Sequence, residues 1–372
     1  MFNINLSIYK ESKQYFQLFD ILLKDLDVNK EAFLKDIGIS PSSYRKARTI
    51  EQNIGDKIVE QLCRALGYKK ASVEFIEEFE KFFNKIYFNV YYKIYKTYDD
   101  DLKTIDKMIE DNYIIKPILH LLKLFLLSNS KTDASKIINE NKEKYNDIKN
   151  YLFFFNDDLL EIVDILSLAF ENKIQEELIM KTYKNSLAYY SLASRLCSDK
   201  RYVESLFIAK KAEEVLVKEK NYKRLLYLNV KMMHCLNSIH SYQDCYDLAH
   251  MQLLTLQSFV DTDYEYNHTT NNLAVCCLPL KKYKYISDLL LGKKQISLTE
   301  LCCLLVAKYK LDSNDYEKLY SSYFNIMEES DRKIIEGLNN YLKTGDKKEL
   351  IVLENPKIKE NITYAIKRTQ ND

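Results

Sequence analysis

Tyr202, Tyr242, Tyr283 and Tyr316 stand at the same place in a recurring pattern, and that recurrence constrains this chain more than any other feature. Leu192, Ala193 and Leu196 precede the first tyrosine, and Ser205, Ala209 and Ala212 follow it. Forty residues on come Met232, Met233 and Leu236, then Tyr242, Cys245 and Ala249. Forty-one further come Leu273, Ala274 and Cys277, then Tyr283, Ile286 and Leu290. After 33 more come Val306, Ala307 and Lys310, then Tyr316, Leu319 and Tyr323. Small and apolar residues thus recur where two antiparallel helices touch, with an aromatic at the turn between them. Each such pair buries its apolar face only against its neighbours, so the pattern predicts a stacked array. Only 6 Gly and 4 Pro occur in 372 residues. Sheets and phosphate-cradling loops spend glycine in tight turns, so the chain is expected to be all-α.

Ahead of the array the pattern changes. Helices are expected over about Ser12–Leu26, from an Asn29 cap to Ile37, over Pro41–Thr49, and over about Ile54–Leu66 before Gly67. A longer helix, about Ser72 to Tyr95, carries Phe75, Phe79, Phe82, Phe83 and Tyr87. Gly38 closes one helix, and Ser40 and Pro41 are an N-cap and first residue for the next. Phe33, Ile37, Ile39, Tyr44 and Ala47 fall where those two helices meet. Ser42, Ser43, Arg45, Lys46 and Arg48 fall outward, with no acid between Asp36 and Glu51. Short hydroxyls and arginines at a helix start suit a major groove, where Arg pairs with guanine edges and Ser with phosphates. These five are the candidate DNA-binding residues.

This segment resembles the λ-repressor-like (Xre-type) helix-turn-helix in its Gly-Ile-Ser turn and flanking helices. It departs where Leu34 replaces a small residue and Arg48 an acid. The downstream pattern resembles a degenerate tetratricopeptide repeat (TPR) with long periods. The domains expected are a helix-turn-helix unit over 1–70, a linker helix over 71–98 and a TPR-like α-solenoid over 99–372.

Catalysis finds no support. H-E-x-x-H, G-x-S-x-G and G-K-[ST] are all missing, the five histidines are scattered, and no metal or cofactor site is expected. Eight cysteines form no C-x-x-C and lie in apolar helical patterns, as reduced core thiols do. Asn3, Lys10, Glu11 and Lys13 break any leader-like pattern, and His120 and Lys123 interrupt the longest apolar run, Ile118–Leu127. A cytoplasmic protein without a membrane span is expected. Net charge is +1, so any basic footprint is local.

In stacked helix pairs the first helix of each pair lines a concave face. Here that face takes Tyr190 and Ser194, then Tyr227, His234 and Asn237, then His268 and Asn271. Asparagine carboxamides pair both polar groups of an extended backbone and tyrosines add flat apolar contact, so these seven are the candidate peptide-binding residues. The whole architecture resembles the RNPP family of quorum-sensing peptide receptors. The resemblance implies a usually dimeric, cytoplasmic regulator in which a short linear signalling peptide alters how two DNA-binding domains meet a double-stranded operator. Leu301, Leu304, Leu305, Tyr320 and Tyr323 are the expected homodimer surface. A protein-interaction adaptor or anti-activator, whose first helices dock without reading DNA, fits the same sequence.

Overall fold

The computed structural model describes residues 3–49, 52–94, 96–129, 134–171, 186–311, 313–353, 355, 358 and 362–369. Among them the chain is all-helical, with one isolated bridge between Lys69 and Tyr113 in place of any strand. Contacts divide it into two compact units, Met1–Leu192 and Ala193–Asp372.

The first unit begins with a 3-10 turn, Ser7–Lys10, and helices α1 (Lys13–Asp25), α2 (Lys30–Asp36), α3 (Pro41–Thr49) and α4 (Gln52–Ala65). The Asn29 side chain accepts from the Ala32 N–H at 3.1 Å and starts α2, and the Ser72 hydroxyl does the same for α5 (Val73–Tyr91) through Phe75. Ile76, Phe79, Phe83, Ile86, Tyr87, Val90 and Tyr91 recur at three- and four-residue spacing on the buried face of α5. Tyr95, the expected end of this helix, lies outside the described residues. Helices α6 (Tyr98–Glu110), α7 (Lys116–Ser128), α8 (Ala134–Lys149) and α9 (Asp157–Phe170) follow. The middle of this group is α7, apolar almost all round and packed against α5, α6, α8 and α9.

The expected boundaries at 70 and 98 are not breaks in packing. Lys69 N–H donates to the Asn112 carbonyl at 2.9 Å and its own carbonyl accepts from Ile114, fastening the end of α4 to the α6–α7 turn. Helix α5 packs on the 3-10 turn and on α7, so it is part of the unit's core.

The second unit takes the end of α10 (Ser186–Ser198), then α11 (Tyr202–Lys218), α12 (Tyr222–Ser238), α13 (Tyr242–Leu256), α14 (Asp263–Cys277), α15 (Tyr283–Leu291), α16 (Leu298–Leu311), α17 (Ser313–Ile326) and α18 (Glu329–Thr344). A 3-10 segment, Lys347–Leu353, and α19 (Ile362–Arg368) close it. Three of the four recurring tyrosines begin helices, whereas Tyr316 lies inside α17. Lys200, His240 and Lys281 have φ of +61°, +63° and +56°, and Tyr202, Tyr242 and Tyr283 begin helices two residues later. At each turn the residue after the left-handed one donates five residues back, to the carbonyl of Leu196, Leu236 or Cys277, which closes the preceding helix.

Helices α12, α14, α16 and α18 pack side by side, with α13 seated against α12 and α14, and α15 against α14 and α16. Helices α14 and α16 form the interior of this unit: Leu273–Leu278 and Leu301–Ala307 are buried without interruption. Leu301, Leu304 and Leu305 therefore cannot serve as the expected dimer surface. They are at most 1% exposed because α18 and α19 cover α16. Tyr320 and Tyr323 are half-buried, and Tyr320 stacks on Tyr316 and Phe324. All eight cysteines are buried. Among the described residues no helix is long and apolar enough to cross a membrane.

Candidate functional site

Two places combine exposed or recessed polar chemistry with a rigid support. The first is α3. Gly38, at φ +75°, ends α2: its N–H donates to Lys35 and that of Ile39 to Leu34 at 2.8 Å, with Ile39 and Leu34 both buried. This is the Schellman arrangement, and a side chain at Gly38 would strain the backbone. The Ser40 hydroxyl then accepts from the Ser43 N–H at 3.1 Å, and Pro41 opens α3.

One face of α3 is fixed by Asp20 on α1. Its carboxylate accepts from Tyr44 at 2.7 Å, from Lys30 at 2.6 Å and from Arg48 at 3.2 Å, so three elements converge on one charge. Burial and that hydrogen bond push the Tyr44 phenol well above its ordinary pKa. Tyr44 and Ala47 are buried, and Phe16 meets Tyr44 edge-on at 5.2 Å.

The other face of α3 exposes Ser42, Arg45, Lys46, Arg48 and Thr49. Arg45 and Lys46 have no acidic partner among the described residues, whereas Arg48 is shared with Asp20. Ser43 is half-buried, and Ser42 and Ser43 hydrogen-bond the Ser40 hydroxyl at 2.9 and 2.8 Å, tying them into the cap.

The second place is a cavity of about 310 Å³ in the second unit, lined by Tyr202, Lys231, His234, Tyr264, His268 and Asn272, with Cys197, Ser198, Lys200 and Val230 completing it. Helix spacing builds it. On α12, Tyr227, Lys231 and His234 fall four and three residues apart; on the adjoining α14, Tyr264, His268 and Asn272 fall at intervals of four, so two stripes face one space. Tyr227 stacks on Tyr264 at 5.0 Å, Tyr264 lies 4.2 Å from His268, and Tyr202 meets His234 edge-on at 5.9 Å. The result is an aromatic-walled recess whose lining, among the described residues, holds ammonium groups and no carboxylate.

Of the seven expected peptide-binding residues, His234 and His268 line this cavity and Tyr227 supports its wall. Asn237 does not join them. It is fully buried, with its Nδ2 donating to the Asn272 carbonyl at 3.0 Å, because the face it shares with Met233 is the one α14 covers. Asn271 is half-buried with its Oδ1 turned away from solvent, and the neighbouring Asn272 reaches the cavity instead. Ser194 is half-buried, and its carbonyl accepts from Ser198. Tyr190 belongs to the first unit, where the Lys93 ammonium lies 5.9 Å over its ring. Lys231, Tyr264 and Asn272 line the cavity as well, and their three- and four-residue spacing from the two histidines is the sequence signal that places them on the same helix faces.

Among the described residues no group of three or more His, Cys, Asp and Glu is placed to hold a metal ion. No family model, curated protein or solved structure matches the chain.

Proposed function

We propose that this chain is a transcriptional regulator in which α2 and α3 act as a λ-repressor-like helix-turn-helix on double-stranded DNA. In this reading the later helices are a degenerate TPR-like array, and a short linear peptide bound there controls DNA binding. The observation that carries it is the state of Arg45 and Lys46. Both stand exposed and, among the described residues, without an acidic partner, on a helix whose other face is fixed through Tyr44 and Asp20. Rigidly held, unneutralised basic side chains beside hydroxyls are what base edges and phosphates recruit.

The cavity supplies the peptide half of the proposal. Its volume lies at the lower end for ligand pockets, so it takes one anchoring residue of a peptide, not the whole chain. Flat rings would grip an apolar or aromatic side chain, and Lys231 would favour an acidic group beside it. Peptide and DNA would be linked by differential binding to two arrangements of the protein. The protein would act in the cytoplasm as a homodimer, since one short half-site carries little specificity.

The experiment is selection of duplex DNA from a random pool, then binding by anisotropy at two salt concentrations, with and without short peptides encoded beside the gene. Selective, salt-dependent binding lost in Arg45→Ala/Lys46→Ala supports the reading. Absence of any selected sequence overturns the DNA half and advances the adaptor reading. Peptides that bind equally to wild type and to His268→Ala/Tyr264→Ala overturn the cavity assignment.

A further inference from the structure

Residues 3–6 run between α5 and α9 with alternating exposure, Asn3 and Asn5 exposed and Ile4 and Leu6 fully buried, before the backbone turns at Leu6 (ψ 10°) into the 3-10 turn. That is the period of a strand, yet the N–H groups of Ile4, Asn5 and Leu6 and the carbonyls of Ile4 and Asn5 pair with side chains of α5, of α9 and of the residue before α9, while the Leu6 carbonyl accepts from the Tyr9 N–H. The Asn84 carboxamide on α5 accepts from the Ile4 N–H at 2.8 Å and donates to the Ile4 carbonyl at 2.9 Å. One turn earlier, Glu80 accepts from the Leu6 N–H at 2.6 Å. From the opposite side, Asp158 on α9 accepts from the Asn5 N–H at 2.8 Å, and Asn156 just before α9 donates to the Asn5 carbonyl at 2.5 Å.

Side chains of α5 and of the start of α9 thus pair alternate residues of this segment's backbone from its two sides, while Ile4 and Leu6 bury their side chains. This is how a helical receptor holds a peptide: carboxamides and carboxylates satisfy the backbone, and recesses select alternate side chains. Asn84 is also set in place beforehand, since its Nδ2 donates to the Glu80 carbonyl at 3.0 Å.

We infer that the α5–α9 groove is a second peptide-binding site, filled in cis by residues 3–6, that accepts an extended peptide with aliphatic side chains two residues apart. Its occupancy bears on the first four helices. Directly after the segment, the Tyr9 hydroxyl donates to the Phe154 carbonyl at 2.7 Å and accepts from the Asn156 N–H at 3.1 Å, and Tyr15 on α1 donates to the Tyr9 carbonyl at 2.5 Å. A peptide that took the groove in trans would withdraw the segment that leads α1 to α9. The carboxamide reading expected at Asn237 and Asn271 is therefore realised at Asn84 and Asn156.

The test uses the full chain carrying Ile4→Asp and Leu6→Asp, which expels the segment and leaves Asn84, Glu80, Asn156 and Asp158 intact. A fluorescent peptide with the sequence of residues 2–10 is titrated by anisotropy. It should bind this variant at micromolar concentration and wild type at least tenfold more weakly, because the cis segment competes. Adding Asn84→Ala to the variant should weaken binding at least tenfold, and a scrambled peptide should not bind. Should circular dichroism show that the aspartates prevent folding, Ile4→Ala/Leu6→Ala takes their place with the same readouts. Equal binding to wild type and variant, insensitivity to Asn84→Ala, or no binding to a folded variant overturns the inference. No DNA enters the assay, so its outcome is separate from that of the regulator reading.

Discussion

The side-chain nitrogen of Asn237 on α12 donates to the main-chain carbonyl of Asn272 on α14 at 3.0 Å, with Asn237 fully buried. A residue with the chemistry of a peptide clamp is thus used to join two neighbouring helices of the second unit. Its own Oδ1 is buried and unpaired, so the contact is a constrained one.

Asn237→Ala should therefore act first on stability. Losing this bond and opening a small void costs about 1–3 kcal/mol, read as a lowered midpoint in urea. His268→Ala, at a half-buried position lining the cavity, should change stability by about 0.5 kcal/mol or less and act on ligand binding. Equal stability of Asn237→Ala and wild type would remove the structural role.

On α3, Arg45→Ala should weaken binding to selected DNA more than Arg48→Ala does. The Arg45 side chain has no acidic partner among the described residues, while Arg48 already shares the Asp20 carboxylate and must leave it to reach DNA. A base contact by Arg45 is worth about 1–3 kcal/mol, and loss of a phosphate contact lowers the salt slope by about one. Anisotropy at four salt concentrations separates the two.

His120 on α7 gives a pH dependence. Burial, with the nearby charges of Lys116, Lys123 and Lys144, lowers its pKa against the opposing pull of Asp147. The unfolded chain protonates this histidine near its ordinary value of about 6.5, while the folded protein resists. The stability concerned is present above that pH and is lost as pH falls towards and through the depressed folded value. His120→Gln should flatten this part of the curve, as measured by urea unfolding between neutral and mildly acidic pH.

Lys293 and Glu300 form a buried pair at 2.6 Å, with Thr270 bonded to both and the Ser297 N–H donating to the second carboxylate oxygen at 2.9 Å. Together they fasten the α15–α16 connection to α14. Lys293→Met leaves a carboxylate buried without its cation and should cost about 3–5 kcal/mol, whereas Lys293→Met/Glu300→Leu should cost less than that single change. A double variant at least as unstable as Lys293→Met would show that the polar network, beyond mere charge balance, holds the loop.

Much of the first unit's helix pattern was legible because its signals are local. Asn29, Gly38, Ser40, Pro41 and Gly67 mark helix ends within one turn of where they occur, and α3 begins and ends where its residues place it. Likewise three of the four recurring tyrosines follow left-handed residues, at Lys200, His240 and Lys281, since these helix ends are closed by bonds reaching no more than five residues.

Which face of each helix meets which neighbour is another matter. Periodicity marks an apolar stripe, but a polar residue at its edge can face solvent or the adjoining helix. For Asn237 the placement of α14 decided, and for Leu301, Leu304 and Leu305 it was the cover of α18 and α19. The Asn84–Ile4 and Asn156–Asn5 bonds join residues 80 and 151 positions apart, beyond any local pattern. By itself the sequence determined where helices start, stop and turn, because backbone hydrogen bonds and caps are short-range. Only the tertiary structure decided which polar side chains face a ligand and which hold the protein together, because that depends on what packs against them.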